Sequence, residues 1–143
     1  MNCSGLSEAQ QNRIERSINE VPFGTLLGIR LDSVAPGVAT MTLPIRDDLR
    51  QNNRVVHGGA IAALIDSTAA FAVIPLLKED ETTTTVDLTI SYLRPLVDGE
   101  AKATAKVLRE GSRIINISAE IVDDEGNLAA TALMTFIKLR KFS

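Results

Sequence analysis

The sequence predicts an α+β fold in which a curved antiparallel sheet of five to six strands wraps around one long central helix. The helix is predicted from the apolar run between His57 and Lys78, in which Asp66 is the only charged residue. A helix that is apolar on nearly every face is expected to be buried. The strands are predicted from short segments separated by turn residues, the clearest of which alternates polar and apolar side chains.

The first half of the chain predicts one helix and two strands before the central helix. The first helix covers residues 7–20, with Ser7 as its N-cap and a glutamine three positions later. Two strands follow at 28–35 and 38–44, joined by a Pro-Gly turn. The central helix then begins at Gly58 and ends near the lysine that closes the apolar run.

The second half of the chain predicts four strands, at 82–93, 100–109, 113–122 and 128–139. Short turns between them predict an antiparallel meander. In the first of these strands, alternation assigns two faces. The apolar face would carry Val86, Leu88, Ile90 and Tyr92, and the polar face Thr85, Asp87, Thr89 and Ser91.

Length and composition limit the classes of function. The 143 residues predict a single domain over 1–143, and the net charge of -3 gives no basic surface for nucleic acid. Cys3 is the only cysteine, which excludes an intrachain disulfide framework and a multi-cysteine metal site. The polar N-terminal residues do not resemble a secretory signal. The 58–77 stretch contains Asp66 and Pro75, which favours a buried helix of a cytoplasmic protein over a membrane span.

The junction between a loop and the central helix forms a first candidate site, His57-Gly58-Gly59. The first backbone N–H groups of a helix lack internal partners and lie at the positive end of its dipole. Glycine allows a ligand to approach this backbone closely. Such a terminus suits a carbonyl oxygen that develops negative charge. The alternative is a tight loop-to-helix turn with a surface histidine.

Asp66 is a second candidate. An uncompensated buried carboxylate costs roughly several kcal/mol, so Asp66 is expected either to have bonding partners or to take part in chemistry. A structural role, in which it bonds a serine or threonine of a neighbouring strand, is the alternative.

The spacing of the two candidates predicts a site shared between subunits. Gly58 and Asp66 are eight positions apart, which is about 12 Å along a helix and about 800° around it. One helix therefore does not bring both groups to one reacting atom. An antiparallel helix of a two-fold partner would place Asp66 of one chain near Gly58 of the other. If both groups are catalytic, the protein is expected to be a dimer or a larger assembly.

Two segments resemble the hotdog-fold acyl-CoA thioesterases of the phenylacetyl-CoA (PaaI-like) type. They are QNNRVVHGGAIAALIDSTAAFA and the strand VDLTISYLRP, and the resemblance extends over about residues 22 to 139. Its motif comprises HGG, an acid seven positions beyond the second glycine, and an amide side chain six before the histidine. The resemblance implies hydrolysis of thioesters of coenzyme A or acyl carrier protein without metal or cofactor. It also implies a homodimer that forms the active site, and pairing of dimers into a homotetramer.

The resemblance assigns roles to individual residues. Asp66 matches the acid that activates water as general base or attacks the thioester directly. Gly58 matches the glycine whose N–H polarises the carbonyl, and His57 helps to shape that end of the site, beside Gly59. Gln51 matches the amide that orients the nucleophile or the carbonyl. Thr85 matches a hydroxyl position that supports the acid in some members of the family. The alternative is that the Thr85 side chain simply faces solvent.

Arginines are candidates for binding the phosphates of coenzyme A, because guanidinium pairs well with phosphate. Arg94, Arg109 and Arg113 are such candidates, and solvation at the end of a strand is the alternative for each. Arg54 stands where many members of the family carry glycine. It is expected to extend the cationic surface or to narrow the loop.

Two other functions fit the same architecture. A hydratase or dehydratase would have to use His57, the only histidine, to move a substrate proton. A non-catalytic acyl-CoA binding protein would bind the thioester without turning it over. The sequence does not identify the acyl group. Four aromatic side chains are candidates for an aryl pocket or for ordinary core, namely Phe23, Phe71, Tyr92 and Phe136.

Overall fold

The computed structural model describes residues 1–142, which form three α-helices and one curved sheet. The helices are α1 (Glu8–Asn19), α2 (Pro22–Leu27) and α3 (Gly58–Val73). The strands are β1 (Asn2–Cys3), β2 (Arg30–Ala35), β3 (Val38–Pro44), β4 (Glu81–Tyr92), β5 (Glu100–Glu110), β6 (Ile114–Val122) and β7 (Leu128–Arg140). The predicted architecture, a curved sheet around one long helix, is confirmed. The sheet has seven strands and not five to six, because the two-residue β1 is too short to give a sequence pattern.

Helix α3 packs against the concave face of the sheet. Its side chains Leu64, Ile65 and Ala69 have no solvent exposure, and neither do Ala103 and Ile117 of the sheet. Small alanines on β5 allow the helix to approach the strands closely. At the other end of the chain, Ser7 caps α1 and shares a capping box with Gln10.

The strand order corrects the predicted meander. The described strands run β1-β2-β3-β5-β6-β7-β4, so β4 lies at an edge beside β7 and not beside β5. Turn residues in a sequence show that the chain reverses direction, but they do not show which strand the next segment pairs with. The connection over residues 93–99 has a reach of about 23 Å, whereas three strand spacings need about 14 Å. This segment therefore crosses the end of the sheet.

A β-bulge corrects the predicted faces of β4. Thr85 pairs with Phe136 and Asp87 with Thr135, so Val86 is an extra residue without a partner on β7. The bulge changes the phase of the alternation. Thr85, predicted to lie on the polar face, instead faces α3, and Val86 is 57% exposed.

Helix α3 ends earlier than predicted. It stops at Val73 and is followed by a short 3-10 turn, Ile74–Leu76, because Pro75 supplies no backbone N–H. The whole stretch Gly58–Leu76 is long and apolar enough to cross a membrane, with a mean hydropathy of 1.8. It is also the core helix of this sheet, and 56% of it is buried within the domain.

One face of α3 is less buried than predicted. Partly exposed residues recur at helical spacing along it: Ala62, Ala63, Asp66, Ser67 and Ala70. The expectation that the Asp66 carboxylate leaves water is therefore wrong for a single chain. The reason is that the sheet covers only part of the helix circumference. Asp66 stands on the uncovered side.

Candidate active site

The N-terminus of α3 presents one unoccupied backbone donor. His57 is the N-cap, and its Nδ1 accepts a hydrogen bond of 2.8 Å from the Gly59 N–H. The next N–H, that of Ala60, donates to the His57 carbonyl at 3.0 Å. The Gly58 N–H has no acceptor within residues 1–142. Because Nδ1 is an acceptor here, the neutral ring carries its proton on Nε2.

Tyr92 closes over the same helix terminus from the end of β4. Its hydroxyl donates to the Gly58 carbonyl at 3.0 Å. Its ring lies beside Gly58, since a Cβ built on that glycine would be 3.4 Å from the ring. Tyr92 is 55% exposed, so the ring forms an accessible wall and not part of the core.

An open cleft of about 350 Å³ lies in front of this terminus. Two predicted site residues besides Gly58, namely Gln51 and Arg94, line it. The remaining lining residues are Val55, Val56, Ile61, Tyr92, Leu93, Pro95, Leu96, Ala129 and Ala130. The cleft thus combines an apolar wall with one amide, one guanidinium and a free N–H, which is a suitable composition for binding a polar, partly apolar small molecule.

The loop before the cleft is held by Arg50, whose role the sequence did not reveal. Its guanidinium donates to the Arg54 carbonyl at 2.6 Å and to the Val97 carbonyl, and pairs with Asp47 at 3.1 Å. These bonds tie the loop carrying Gln51 to the segment that crosses the sheet. Arg50 stands in a run of polar residues without helical or strand periodicity. The sequence therefore gave no signal that distinguishes an arginine that holds this loop from one that is simply solvated.

Arg54 has an unusual backbone conformation. Its φ is 65°, and it is the one residue other than glycine within 1–142 with a positive φ. Its N–H closes a turn onto the Gln51 carbonyl at 3.0 Å. A left-handed backbone favours glycine, which gives a physical reason for glycine at this position in the resembling family. The Arg54 residue is exposed.

Asp66 is supported by the neighbouring strand. The Thr85 hydroxyl donates to Asp66 Oδ1 at 2.7 Å, and the carboxylate is only partly buried. This bond is expected both if Asp66 is purely structural and if Thr85 positions a reactive Asp66. Because Asp66 is partly exposed, a water or a substrate can reach its carboxylate.

The structure does not bring all predicted residues together. Asp66 does not line the cleft at Gly58, as the helical spacing predicted. Arg113 lies at the opposite end of the sheet, where a basic cleft of about 450 Å³ also contains Lys78, Lys138 and Arg140. Arg109 lies near the end of β5, with its guanidinium 3.4 Å from where a Cβ of Gly111 would be. Neither arginine belongs to the cleft at Gly58 in the same chain.

The aromatic candidates are distributed in a similar way. Tyr92 lines the cleft, whereas Phe71 and Phe136 are 7% and 1% exposed and belong to the core. Phe23 is 55% exposed on α2. The four side chains therefore do not line one common cavity within a single chain.

The electrostatics near the cleft involve a hairpin between β6 and β7. The pKa of Asp123 lies below its ordinary value, chiefly because the Asn127 backbone N–H bonds its carboxylate, and the charge of Arg94 adds a smaller contribution. Over the described part of the chain, no group of three or more His, Cys, Asp or Glu side chains is arranged to hold a metal ion.

Comparisons with known proteins connect this arrangement to a family. A family model described as "Thioesterase superfamily" matches residues 53–130, a range that includes Gly58, Asp66 and Thr85. The medium/long-chain acyl-CoA thioesterase YigI of Escherichia coli is 25% identical over 138 residues, which cover 86% of this chain and 89% of YigI.

Two solved structures extend the comparison to the fold. The conserved protein PA5202 from Pseudomonas aeruginosa is 31% identical, with a TM-score of 0.78 over 87% of this chain and 98% of that chain. The PaaI protein of the Escherichia coli phenylacetic acid degradation operon has a TM-score of 0.86 at 23% identity, over 94% of this chain and 96% of PaaI. The likeness to PaaI shows the fold alone.

Proposed function

Because the chain belongs to the thioesterase superfamily and has its hotdog fold, we propose that it hydrolyses an acyl thioester of coenzyme A or acyl carrier protein. One observation carries this proposal: Gly58, whose N–H has no acceptor within residues 1–142, lines an accessible cleft, while the other first-turn donors are occupied. Gly58 thereby offers a fixed backbone donor to a carbonyl oxygen bound in the cleft.

The Gly58 N–H would polarise the thioester. As a nucleophile adds to the carbonyl carbon, negative charge develops on the oxygen, and a fixed donor stabilises that charge more than it stabilises the substrate. A single donor of this kind contributes about 10²–10³ in rate. Gln51, on the wall of the same cleft, would orient the carbonyl or the nucleophile.

Asp66 would supply the base or the nucleophile. With Oδ1 bonded by Thr85, Oδ2 is left to take a proton from a water that attacks the carbonyl carbon. The C–S bond then breaks, and the leaving thiolate receives the proton. Direct attack by Oδ2 gives the same products through an anhydride that water hydrolyses. The support for either path is the exposure of this carboxylate on the open face of α3.

The site would be shared between two subunits of a homodimer, and two dimers would form a tetramer. Support comes from two surfaces of the single chain. Asp66 lies on the uncovered face of α3, and β4 is a sheet edge of 12 residues with its outer side unpaired in the part described. Long open edges are normally covered. A two-fold partner with an antiparallel α3 would bring Asp66 of one chain toward Gly58 of the other.

Arginine contacts to the coenzyme A phosphates follow from this arrangement. Arg94 lines the cleft beside Gly58, so it would act within the same chain. Arg113, at the opposite end of the sheet, would reach the substrate only from the partner. The exposed Arg54 would extend the cationic rim. This assembly would operate in the cytoplasm.

The contacts of His57 constrain the alternative of a hydratase. Its Nδ1 is engaged as the cap of α3, so a hydratase would have to move the substrate proton through Nε2. The alternative of a non-catalytic binding protein would use the Gly58 donor, but it leaves the accessible Asp66 carboxylate without a role.

The test is release of free thiol from a panel of short, medium, long and aromatic acyl-CoA substrates. The wild-type protein is expected to release thiol from at least one class. Asp66→Asn is expected to lose most turnover while retaining the fold, because the amide neither accepts a proton nor attacks. Full activity in that variant would refute the role of Asp66. Hydration of an enoyl-CoA without thiol release would establish that the protein is a hydratase. Tight binding of acyl-CoA without either reaction would establish that it is a binding protein.

A further inference from the structure

We propose that Tyr92 is a positioning residue that, together with His57, clamps the Gly58–Gly59 peptide group and so aims the Gly58 N–H at the substrate carbonyl. The inference rests on the proposed function of the cleft and adds a residue to its mechanism. Its basis is that the two side chains bind opposite ends of one peptide group. Tyr92 donates to the Gly58 carbonyl at 3.0 Å, and His57 Nδ1 accepts from the Gly59 N–H at 2.8 Å.

The clamped peptide joins two residues with high intrinsic backbone freedom. Two successive glycines have more backbone freedom than any other pair of residues. The first turn of a helix also has fewer backbone hydrogen bonds than its interior. The Gly58 N–H belongs to the preceding His57–Gly58 peptide, which is joined to the clamped group through the Gly58 Cα. Rotation about φ of Gly58 therefore changes the direction of this N–H relative to the clamped group. Two side-chain bonds at this point oppose that rotation.

Both clamping residues are themselves fixed. Tyr92 is the last residue of β4 and is paired with Ala130 of β7. The next two residues continue this attachment, since the Leu93 and Arg94 N–H groups both donate to the Ala129 carbonyl, at 2.9 and 3.1 Å. His57 is held by its own N–H, which donates to the Leu49 carbonyl at 2.8 Å. The clamp therefore joins α3 to the sheet on one side and to the preceding loop on the other.

The local space also favours this arrangement. A Cβ at Gly59 would lie 2.9 Å from His57 Nδ1, so a side chain there would displace the ring from the position in which it accepts from the Gly59 N–H. A Cβ at Gly58 would lie 3.4 Å from the Tyr92 ring, which is an ordinary contact distance. Catalytic donors act through accurate geometry because a small misplacement weakens charge stabilisation in the transition state. The clamp is thus expected to act on turnover more than on substrate binding.

Tyr92→Phe tests the inference, because it removes the hydroxyl and keeps the ring. The matched control is Thr83→Val, which removes a hydroxyl donor of the same strand that bonds the Ile137 carbonyl at 3.0 Å, remote from the cleft. In Tyr92→Phe we expect kcat to fall about 3- to 10-fold, which corresponds to the free energy lost with one hydrogen bond. KM should change less than about twofold, and the control should retain the wild-type kcat.

Hydrogen exchange gives a readout that does not depend on turnover. Selective labelling with ¹⁵N-glycine yields signals from only nine residues. The Gly59 amide is expected to exchange about 3- to 10-fold faster in Tyr92→Phe than in the wild type, and to be unchanged in Thr83→Val. Unchanged exchange at Gly59 would overturn the inference even if no thioester is hydrolysed. Absence of thiol release by the wild type would instead refute the proposed function, and faster Gly59 exchange would still support the clamp.

A double variant separates clamping from independent effects. His57→Gln combined with Tyr92→Phe is expected to lose less in kcat than the product of the two single losses, because both act on one peptide. Strict multiplication of the two losses would contradict a shared clamp.

Discussion

Thr85 and Tyr92 are seven residues apart on β4, and both face α3. Residues separated by an odd number point to opposite faces of a regular strand. The bulge at Val86 removes this conflict. As a result, one strand bonds Asp66 through Thr85 and the helix N-terminus through Tyr92. The bulge thereby links the two parts of the proposed site.

Removing the Thr85 hydroxyl tests the first of these links. Thr85→Val keeps the shape of the side chain but takes a donor from the Asp66 carboxylate. Because hydrogen bonds to charged groups are strong, we expect kcat to fall at least about 10-fold. Thr85→Ser retains the hydroxyl and should keep most of the activity. Equal activity of the valine and serine variants in the thiol-release assay would show that the bond has no role in turnover.

Gly58→Pro tests the backbone donor without removing a side chain. Proline has no N–H and is well accepted at the first position of a helix. His57, which would precede it, is already extended, with φ -62° and ψ 135°, as a residue before proline must be. We expect kcat/KM to fall about 10²–10³-fold with little change in thermal stability. Gly58→Ala, which keeps the N–H, is the control, and activity equal to that control would contradict the assignment.

Arg54→Gly tests the interpretation of the left-handed turn. Relief of a positive φ at a non-glycine residue is expected to stabilise the fold by about 1 kcal/mol, or about 3 °C in Tm. Asn53→Gly, in the same loop but without a positive φ, should lower Tm slightly. A lower Tm for Arg54→Gly would contradict the interpretation. A higher KM for acyl-CoA, measured on the same variant, would support a phosphate contact by the Arg54 side chain.

The sequence predicted the elements better than their arrangement. The apolar run around Asp66 and the turn residues predicted α1, α3 and strands β2 to β7 within a few positions, but they predicted neither α2 nor β1. They did not reveal that β4 pairs with β7, because a turn carries no information about a distant strand partner. The bulge at Val86 was also not predictable, since the alternation in that segment is uninterrupted.

The candidate site was predicted in part for a similar reason. The HGG motif and the position of Asp66 follow from composition and helical spacing. The Tyr92 hydroxyl contact depends on which strand lies over the helix terminus. The bonds by which Arg50 holds the loop likewise depend on which segment lies beside it. Both contacts could be identified only from the tertiary structure. Arg113 shows the converse, because its residue type suited phosphate binding but its place is remote from Gly58 in the same chain.

Complementation between inactive variants tests the shared site most directly. Asp66→Asn and Gly58→Pro, each with a different affinity tag, are mixed under conditions that exchange subunits, and the doubly tagged dimer is purified. One of its two sites would then contain the intact Asp66 of one chain and the intact Gly58 of the other. We predict about half of the wild-type thiol release per dimer, with each parent variant inactive. A doubly tagged dimer as inactive as its parents would contradict a site made by two subunits.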